Sequence, residues 1–590
     1  EANPFDILAG PNSLTVQSQF GVYIDQLQGD LHVVKARSEE DNVVLTARQG
    51  SILVNKVEAP LGVAALVASD SVVDNLNDAN SNIDARVVSL AGTSGSVGTV
   101  ANPIEFNSSL QSEGGFRATA GTGIHGVETA GTLRLFGATV TGAGAVNLVV
   151  NRGNASVADL ILPAVDNPEI RTTLGNVTLA AADSIRIADT STIAAGGFVQ
   201  ITVGTTRKDA NAAGAEFEIG GQIDGFNVLV NGSVGRDTFT LRNVRAIQGT
   251  TQIELLGDTG ADFFDVQPVL AAPLHINGND PLTGPDGDRL IITTAGTLDL
   301  ACGGNSILVT STVGAQTSGA VTWENIEQLD PLSPSAGSGV TNFTGDNGGT
   351  PTADVITVVG ANVDGRLPDG DADGAGEFYL VCGENVIPVR GTRTLNLNTL
   401  AGDDRVTIEP WADNVAPGAW DIDVRLDLGA GTDDLVYGNT TVIAGVDEAA
   451  DGSVAAVSED IVLAPSGTPG AGQVRVPNVA TLTFTGTEDV SFHLNNGAAG
   501  DSDTLQILGT NFDDIITVDL TATGTDAAPL VDITRGQFRL LQVEAFTNVS
   551  ALSVAGGLGA DVFNVTPGAI SVFIDGGDPI TLGNLPGVGG

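Results

Sequence analysis

The sequence predicts an all-β protein, an elongated parallel β-helix or β-solenoid whose C-terminal part consists of repeated modules of strands joined by Gly/Asp turns. Three observations predict this class. A Gly/Asp motif recurs along the chain, apolar residues alternate with polar ones, and helical periodicity is nearly absent. The 590 residues include 77 glycines and only 4% aromatic residues, and small side chains suit thin stacked coils better than a large globular core.

The clearest internal repeat joins residues 257–266 to residues 556–565. A proline follows two residues later in both copies, and the match resumes between residues 274–281 and 572–579. Alternating apolar residues on both sides of each turn predict strands. Glycine tolerates positive φ, and aspartate side chains cap turns. Each repeat is therefore predicted to be a strand, a tight turn and a second strand.

The first predicted domain, residues 1–215, has its own pattern of recurring short apolar segments. Residues 42–47 and 51–54 recur as residues 176–181 and 184–187. Short strands joined by small-residue turns, with little hairpin chemistry, predict coils of a parallel β-helix in which each coil covers the apolar face of the next.

Residues 90–98, which run into residues 102–104, match a short sequence common in one family of β-helices. On this short sequence and on the spacing of its predicted strands, the first domain resembles the filamentous-haemagglutinin-like β-helices of large secreted bacterial surface proteins. The resemblance covers about a third of the chain. It implies a β-helix fold and a place at the cell surface.

Two further domains are predicted from the Gly/Asp motif, residues 216–337 and residues 338–590, the second repeating the first. The Pro/Ser/Gly-rich stretches at 331–339 and 465–472 mark candidate seams. The two cysteines, Cys302 and Cys382, have similar neighbours. We expect them to be equivalent repeat positions rather than a bonded pair.

The charge balance limits the partners. A net charge of −47 argues against nucleic acid, because phosphate binding needs clustered lysines and arginines. The same charge favours divalent cations and an acidic surface suited to a saline or extracellular setting. No run of 18 apolar residues is present, so we expect no membrane insertion. The predicted location is extracellular, at the cell surface.

Residues 556–564 fit the nine-residue pattern G-G-x-G-x-D-x-U-x at every fixed position. They are similar to the repeats of RTX-type secreted proteins. The resemblance implies that Asp561, and Asp262 in the matching copy, share Ca²⁺ with carbonyl oxygens of neighbouring coils. Copies of the motif here lie 25 residues or more apart. The alternative is that glycine and aspartate only build strand-to-strand turns.

A second calcium candidate is the acidic run at residues 369–374. Asp369, Asp371 and Asp373 alternate before a glycine, as in an EF-hand-like loop. Leu380 stands at the twelfth position, where that loop carries a bidentate glutamate, and Glu377 is the residue that could replace it. The alternative is an exposed acidic turn.

Catalytic signals are weak, and the prediction is that the protein is not an enzyme. The four histidines are isolated, and none begins an H-E-x-x-H motif. Asp403 and Asp404 could serve as glycosidase carboxylates in a β-helix groove, but acidic turns are so frequent that such a pair is expected by chance. We predict an extracellular structural protein of a filament, stalk or layer, adhesive and calcium-stabilised. The alternative is a polysaccharide-binding β-helix enzyme, a lyase or a glycosidase.

The expected partner is a further length of the same structure. The chain begins with a plausible strand at residues 5–8, and the C-terminal repeat at Pro579 stops where the internal copy at Pro281 continues into another strand. Open solenoids end in strand edges that recruit further strands. We therefore expect head-to-tail self-association or continuation into a longer chain, with surface polysaccharide as a further candidate partner.

Overall fold

The computed structural model describes residues 5–7, 13–205, 213–246, 250–269, 271–279, 287–303, 306–313, 316–335, 338–345, 353–360, 376–383, 385–410, 420–438, 460–477, 479–494, 503–521, 529–547 and 549–577. These residues form strands and turns and contain no α-helix. In particular, the described part of the chain has no helix with the length and apolarity that crossing a membrane requires.

The described chain divides into two compact units, Glu1–Ile292 with Gln316–Leu329, and Thr293–Ala315 with Asp330–Gly590. The strands of the first unit are β1 (Phe5–Ile7), β2 (Leu14–Ser18), β3 (Val22–Gln26), β4 (Leu31–Ser38), β5 (Val43–Ala47), β6 (Ile52–Val54), β7 (Val57–Ala68), β8 (Val72–Asp74), β9 (Ile83–Gly92), β10 (Ser96–Val97), β11 (Ile104–Asn107), β12 (Gly115–Ala120), β13 (Gly123–Glu128), β14 (Leu133–Val140), β15 (Val146–Val150), β16 (Leu160–Leu162), β17 (Glu169–Thr172), β18 (Val177–Ala181), β19 (Ile185–Ile187), β20 (Thr192–Ala194), β21 (Val199–Thr202), β22 (Ala213–Ile219), β23 (Gln222–Asp224), β24 (Asn227–Asn231), β25 (Arg236–Leu241), β26 (Gln252–Leu256), β27 (Phe263–Val266), β28 (Leu274–Asn277), β29 (Arg289–Ile292), β33 (Gln316–Thr317), β34 (Val321–Glu324) and β35 (Gln328–Leu329).

The strands of the second unit are β30 (Leu298–Gly303), β31 (Ser306–Thr310), β32 (Thr312–Val313), β36 (Val340–Thr344), β37 (Val355–Gly360), β38 (Phe378–Cys382), β39 (Asn385–Val389), β40 (Thr394–Asn398), β41 (Arg405–Glu409), β42 (Asp423–Asp427), β43 (Asp434–Gly438), β44 (Asp460–Pro465), β45 (Gly472–Arg475), β46 (Leu482–Thr485), β47 (Asp489–His493), β48 (Thr504–Leu508), β49 (Ile515–Asp519), β50 (Leu530–Arg535), β51 (Phe538–Thr547), β52 (Ala551–Ala555), β53 (Val562–Thr566) and β54 (Ser571–Asp575).

In the first unit, consecutive coils pair in parallel and in register. Leu45 lies opposite Leu66, which lies opposite Leu90 in the next coil, and all three are buried. Further along, Phe239 and Phe264 are adjacent and their rings stack with centroids 4.8 Å apart. Since every second side chain of a strand points inward, these rows of apolar residues fill the interior of the coils.

The second unit also stacks strands in parallel, as in the row Phe343, Leu397, Leu426 and Phe484. Unlike the coils of the first unit, it adds antiparallel pairs between them. β37, β38 and β39 form one antiparallel run, β44, β45 and β46 a second, and β49, β50 and β51 a third. The prediction of an all-β parallel β-solenoid is confirmed.

A continuous strand runs across the predicted domain boundary at residue 215. β22 contains residue 215 and pairs both with β19 before it and with β25 after it. The predicted boundaries at 215 and 337 stay predictions.

The expectation that the cysteines are not bonded is wrong for Cys382, which is disulfide-bonded. Similar flanking residues indicated repetition, whereas a disulfide depends on distances that only the fold sets.

Candidate functional site

The Gly/Asp turns of the first unit place a row of carboxylates along successive coils, the first carboxylate ladder, formed by Asp237, Asp262, Asp288 and Glu327. The backbone N–H of Asp237 donates to Asp262 Oδ1 at 2.7 Å, and that of Asp262 donates to Asp288 Oδ1 at 2.7 Å. The N–H of Asp288 donates to Glu327 Oε2, also at 2.7 Å. The three aspartates are buried.

A second carboxylate ladder runs through the second unit with the same composition, Asp354, Asp404, Asp433 and Glu488. The N–H of Asp354 donates to Asp404 Oδ1 and that of Asp404 donates to Asp433 Oδ1, both at 2.8 Å. The N–H of Asp433 donates to Glu488 Oε2 at 2.9 Å. Each ladder is thus three aspartates followed by a glutamate.

The Asp514–Asp561 pair repeats the arrangement near the C-terminal end of the described chain. The N–H of Asp514 donates to Asp561 Oδ1 at 2.9 Å. The sequence repeat between residues 257–266 and 556–565 therefore matches Asp262 with Asp561, which is the acceptor of its pair as Asp262 is of Asp237.

The position of these residues explains the residue type. Asp262 and Asp404 directly precede β27 and β41, where the chain turns into a strand. A buried N–H at such a corner needs an acceptor, because water cannot reach it. The short aspartate side chain of the next coil supplies that acceptor through one of its carboxyl oxygens.

The glycine of the motif makes room for the carboxylate. A Cβ on Gly257 would lie 2.2 Å from Asp262 Oδ2, and one on Gly556 would lie 2.3 Å from Asp561 Oδ2. Any residue other than glycine would therefore push the carboxylate away from its position. The five-residue spacing from glycine to aspartate follows from this contact.

One oxygen of several ladder carboxylates remains without a partner. Among the described residues, the Oδ2 atoms of Asp262, Asp404, Asp433 and Asp561 are buried and have no hydrogen-bond partner. Burial, more than the neighbouring aspartates, raises the pKa of Asp262 to about 9 and that of Asp433 to about 6. Burial also raises the pKa of Asp561. An unpartnered buried oxygen of this kind is stabilised by a proton or by a cation.

Calcium fits the donor chemistry of these positions, since Ca²⁺ prefers carboxylate and carbonyl oxygens. Asp262 and Asp561 each offer one free carboxylate oxygen, and the other oxygen of each is bonded to a backbone N–H. The described residues include no group of three or more histidines, cysteines, aspartates or glutamates placed to hold a metal. Calcium at Asp262 and Asp561 stays a prediction.

The other predicted ligands are placed as follows. Asp369, Asp371 and Asp373 lie outside the described residues. Glu377 lies just before β38 and is buried, with 4% of its surface exposed. Asp403 and Asp404 lie in different surroundings: Asp404 is buried in the ladder, and Asp403 accepts a hydrogen bond from the N–H of Thr432 at 3.0 Å.

The sequence motif alone did not predict the role of the remaining ladder residues. The signal was present, because Asp288, Asp354, Asp404, Asp433 and Asp514 all stand directly before a strand. What joins them is a hydrogen bond to another coil, and no local pattern contains that bond.

Comparison with known proteins gives no further guide to the ladders. No family model matches the chain, and no curated protein or solved structure is detectably similar to it.

Proposed function

We propose that the protein is an extracellular structural protein that forms or extends a cell-surface filament, stalk or layer, with calcium as a stabilising ion. The observation that carries this proposal is the pairing of coil on coil within each unit. At the corners, the carboxylate ladders accept hydrogen bonds from buried backbone N–H groups. Such an architecture converts sequence length into physical length, because each coil adds about 4.8 Å along a solenoid.

Two properties support an extracellular location. Cys382 is disulfide-bonded, and disulfides persist in oxidising compartments outside the cytosol. The net charge of −47 keeps a protein soluble in salt and suits surroundings rich in divalent cations.

The last described coil supports assembly through the C-terminal end. Val572 and Ile574 on β54 lie opposite the fully buried Leu552 and Val554, yet both remain partly exposed. A further coil stacked on β54 would bury them as their neighbours are buried. We propose that such a coil comes from more of the same chain or from another copy, as a heterologous contact that need not close.

Small-angle scattering and electron microscopy of the purified 590-residue chain test this function. We expect rod-shaped particles, and with calcium present and above micromolar concentration we expect filaments or end-to-end oligomers. A compact sphere in scattering would contradict the structural role. A rod that stays monomeric at all concentrations would contradict assembly through the ends and leave only continuation of the chain.

A second candidate function, polysaccharide binding, is favoured by a groove of about 320 Å³ on the first unit. Phe198 at its rim lies edge-to-face with Phe226, with ring centroids 5.8 Å apart, and each ring is about half exposed. Gln200, Gln252 and Glu254 line the same groove. Exposed rings beside amide and carboxylate groups are what a sugar chain requires for stacking and hydrogen bonding.

Affinity electrophoresis in gels containing bacterial surface polysaccharides tests the second candidate. Phe198→Ala and Phe226→Ala should remove any retardation, whereas Phe20→Ala, which removes an exposed ring elsewhere on the first unit, should not. Retardation that is equal in all variants would place binding elsewhere, and cleavage of the polysaccharide would favour the enzyme alternative.

A further inference from the structure

A buried polar cluster in the first unit lies outside both carboxylate ladders. We call it the Asp74 cluster, formed by Asp74 at the end of β8, Asn82, Asn102 and Glu105 on β11. Asn82 links the two acids: its Nδ2 donates to Asp74 Oδ1 at 2.7 Å, and its Oδ1 accepts from the N–H of Glu105 at 2.9 Å. Asn102 Nδ2 donates to the main-chain oxygen of Asp74 at 2.9 Å. Asn82 therefore joins the carboxylate of Asp74 to the backbone of Glu105, and Asn102 joins the same cluster through the backbone of Asp74.

Three oxygens of this cluster are buried without a partner. They are Asp74 Oδ2, Glu105 Oε2 and Asn102 Oδ1. Asp74 is 2% exposed and Glu105 is 7% exposed, so water has little access to either side chain. An unsatisfied oxygen on one buried residue is uncommon in folded proteins, and three on linked residues call for a bound group.

No positive charge of the described residues balances the two acids. Lys56, on the coil before, forms an ion pair with Asp84 at 2.6 Å and donates to the main-chain oxygen of Ser81. At neutral pH the empty cluster would carry buried negative charge without compensation, which is unfavourable.

We propose that Asp74, Asn102 and Glu105 bind one hard divalent cation, with Ca²⁺ as the best-matched ion. The three free oxygens are two carboxylate oxygens and one amide oxygen, the donor set that Ca²⁺ takes in proteins. The absence of nitrogen and sulfur donors among the three disfavours zinc. The ion would neutralise the two acids and satisfy all three oxygens at once.

This site is independent of the calcium predicted at the ladders. In the first ladder, Asp262 offers one free oxygen packed against Gly257. In the Asp74 cluster, three residues joined by hydrogen bonds contribute one free oxygen each. Loss of one site should leave the other intact.

Calorimetric titration of the full chain with CaCl₂ tests the proposal, after treatment with a chelator and in about 0.15 M KCl to screen the surface charge. We expect Glu105→Gln to lose one bound Ca²⁺ or to weaken that ion at least tenfold. Glu113→Gln, which removes a charge from an exposed glutamate of the same unit, should bind as the wild type does. Asp262→Asn should retain the Asp74-cluster ion.

Thermal melting gives a second readout that a purely structural glutamate would not produce. In chelator, Glu105→Gln should melt at or above the wild-type temperature, because a buried charge is gone. In millimolar Ca²⁺ the order should reverse, because only the wild type gains the ion. Asn102→Ala keeps both charges and should lose affinity for the ion.

Equal stoichiometry and affinity in wild type, Glu105→Gln and Asn102→Ala would overturn the proposal, as would a calcium-induced rise in melting temperature that is the same in all three. A wild-type chain that binds no Ca²⁺ at all would also overturn it. If Glu105→Gln fails to fold, the Asn102→Ala titration decides alone.

Discussion

The two carboxylate ladders have the same composition and similar hydrogen-bond lengths but different sequence spacing. In the first ladder, the bonded residues are 25, 26 and 39 positions apart, and in the second they are 50, 29 and 55 positions apart. The donor–acceptor distances nevertheless stay between 2.7 and 2.9 Å. The corner hydrogen bond is therefore kept while the length of chain between corners varies.

Antiparallel strands occupy part of the extra length in the second unit. β38 and β39 lie between Asp354 and Asp404, and β44 and β45 lie between Asp433 and Glu488. Hairpins satisfy their own backbone groups, so a coil can carry one without disturbing the stack below it. The solenoid therefore tolerates insertions wherever the carboxylate still reaches the N–H of the preceding coil.

The largest expected effect comes from filling the space beside a ladder carboxylate. Gly257→Ala places a methyl group 2.2 Å from Asp262 Oδ2, and we expect a loss of about 2–4 kcal/mol in unfolding free energy. Gly556→Ala in the second unit should cost less, because Asp561 is partly exposed and can move. Urea denaturation followed by circular dichroism measures both.

The matched control for this series is Gly576→Ala, because a Cβ there meets no atom within 4 Å. We expect it to be close to neutral. A Gly257→Ala midpoint equal to that of Gly576→Ala would show that the glycine–carboxylate contact does not matter.

The next effect tests the hydrogen bond that a ladder carboxyl accepts. Asp262→Ala leaves the buried N–H of Asp237 without an acceptor and should cost about 1–3 kcal/mol. Asp262→Asn keeps an acceptor oxygen and should cost less than Asp262→Ala at neutral pH, where the raised pKa keeps the Asp262 carboxyl largely uncharged and the amide matches it in shape. Asp404→Ala and Asp404→Asn should repeat this order in the second unit, and a reversed order in either unit would contradict the capping role.

The pH dependence should distinguish the units. A carboxyl whose pKa is higher in the folded than in the unfolded state binds its proton more tightly when folded, so stability falls as pH rises from the ordinary value to the raised one. In the first unit the pKa values of Asp262 and Glu128 are about 9 and about 8, whereas in the second those of Asp433 and Asp489 are about 6. The first unit should lose stability up to about pH 9, and the second should level off near pH 6.

Scanning calorimetry in chelator between pH 5 and pH 9 measures this difference. Each group contributes at most about 1.4 kcal/mol per pH unit. Asp262→Asn should reduce the loss of unfolding free energy per pH unit above pH 6. Asp433→Asn should change this loss only below pH 6. A slope above pH 6 that survives Asp262→Asn unchanged would mean that this carboxyl is not the titrating group.

The smallest expected effect is that of calcium on the ladders. An ion at ten times its dissociation constant stabilises the folded state by about 1.4 kcal/mol. Millimolar Ca²⁺ should raise the melting temperature, and Asp262→Asn or Asp561→Asn should each remove part of that rise. Asp371→Asn tests the second predicted loop in the same way. Identical melting in chelator and in Ca²⁺ would count against all of these sites.

The sequence predicted those parts of the fold that depend on near neighbours. The alternation around Ile253, Leu255, Phe264 and Val266 predicted strands, and all four side chains are buried inward. The candidate site was predicted only in part, because the motif marked Asp262 and Asp561 as special without showing what they bond. The cysteine prediction failed at Cys382 because similar local settings carry no information about distance in space.

The sequence by itself determined the spacing within each turn. The contact between Gly257 and Asp262 joins residues five apart, so the motif contains both the cause and its effect. The tertiary structure decided which turn stacks on which: the bond from Asp237 to Asp262 spans 25 residues and that from Asp354 to Asp404 spans 50. It likewise brought Asp74 and Glu105 together through Asn82. These pairings arise only when coils stack, because stacking removes water from the corner and leaves a side chain of another coil as the available partner.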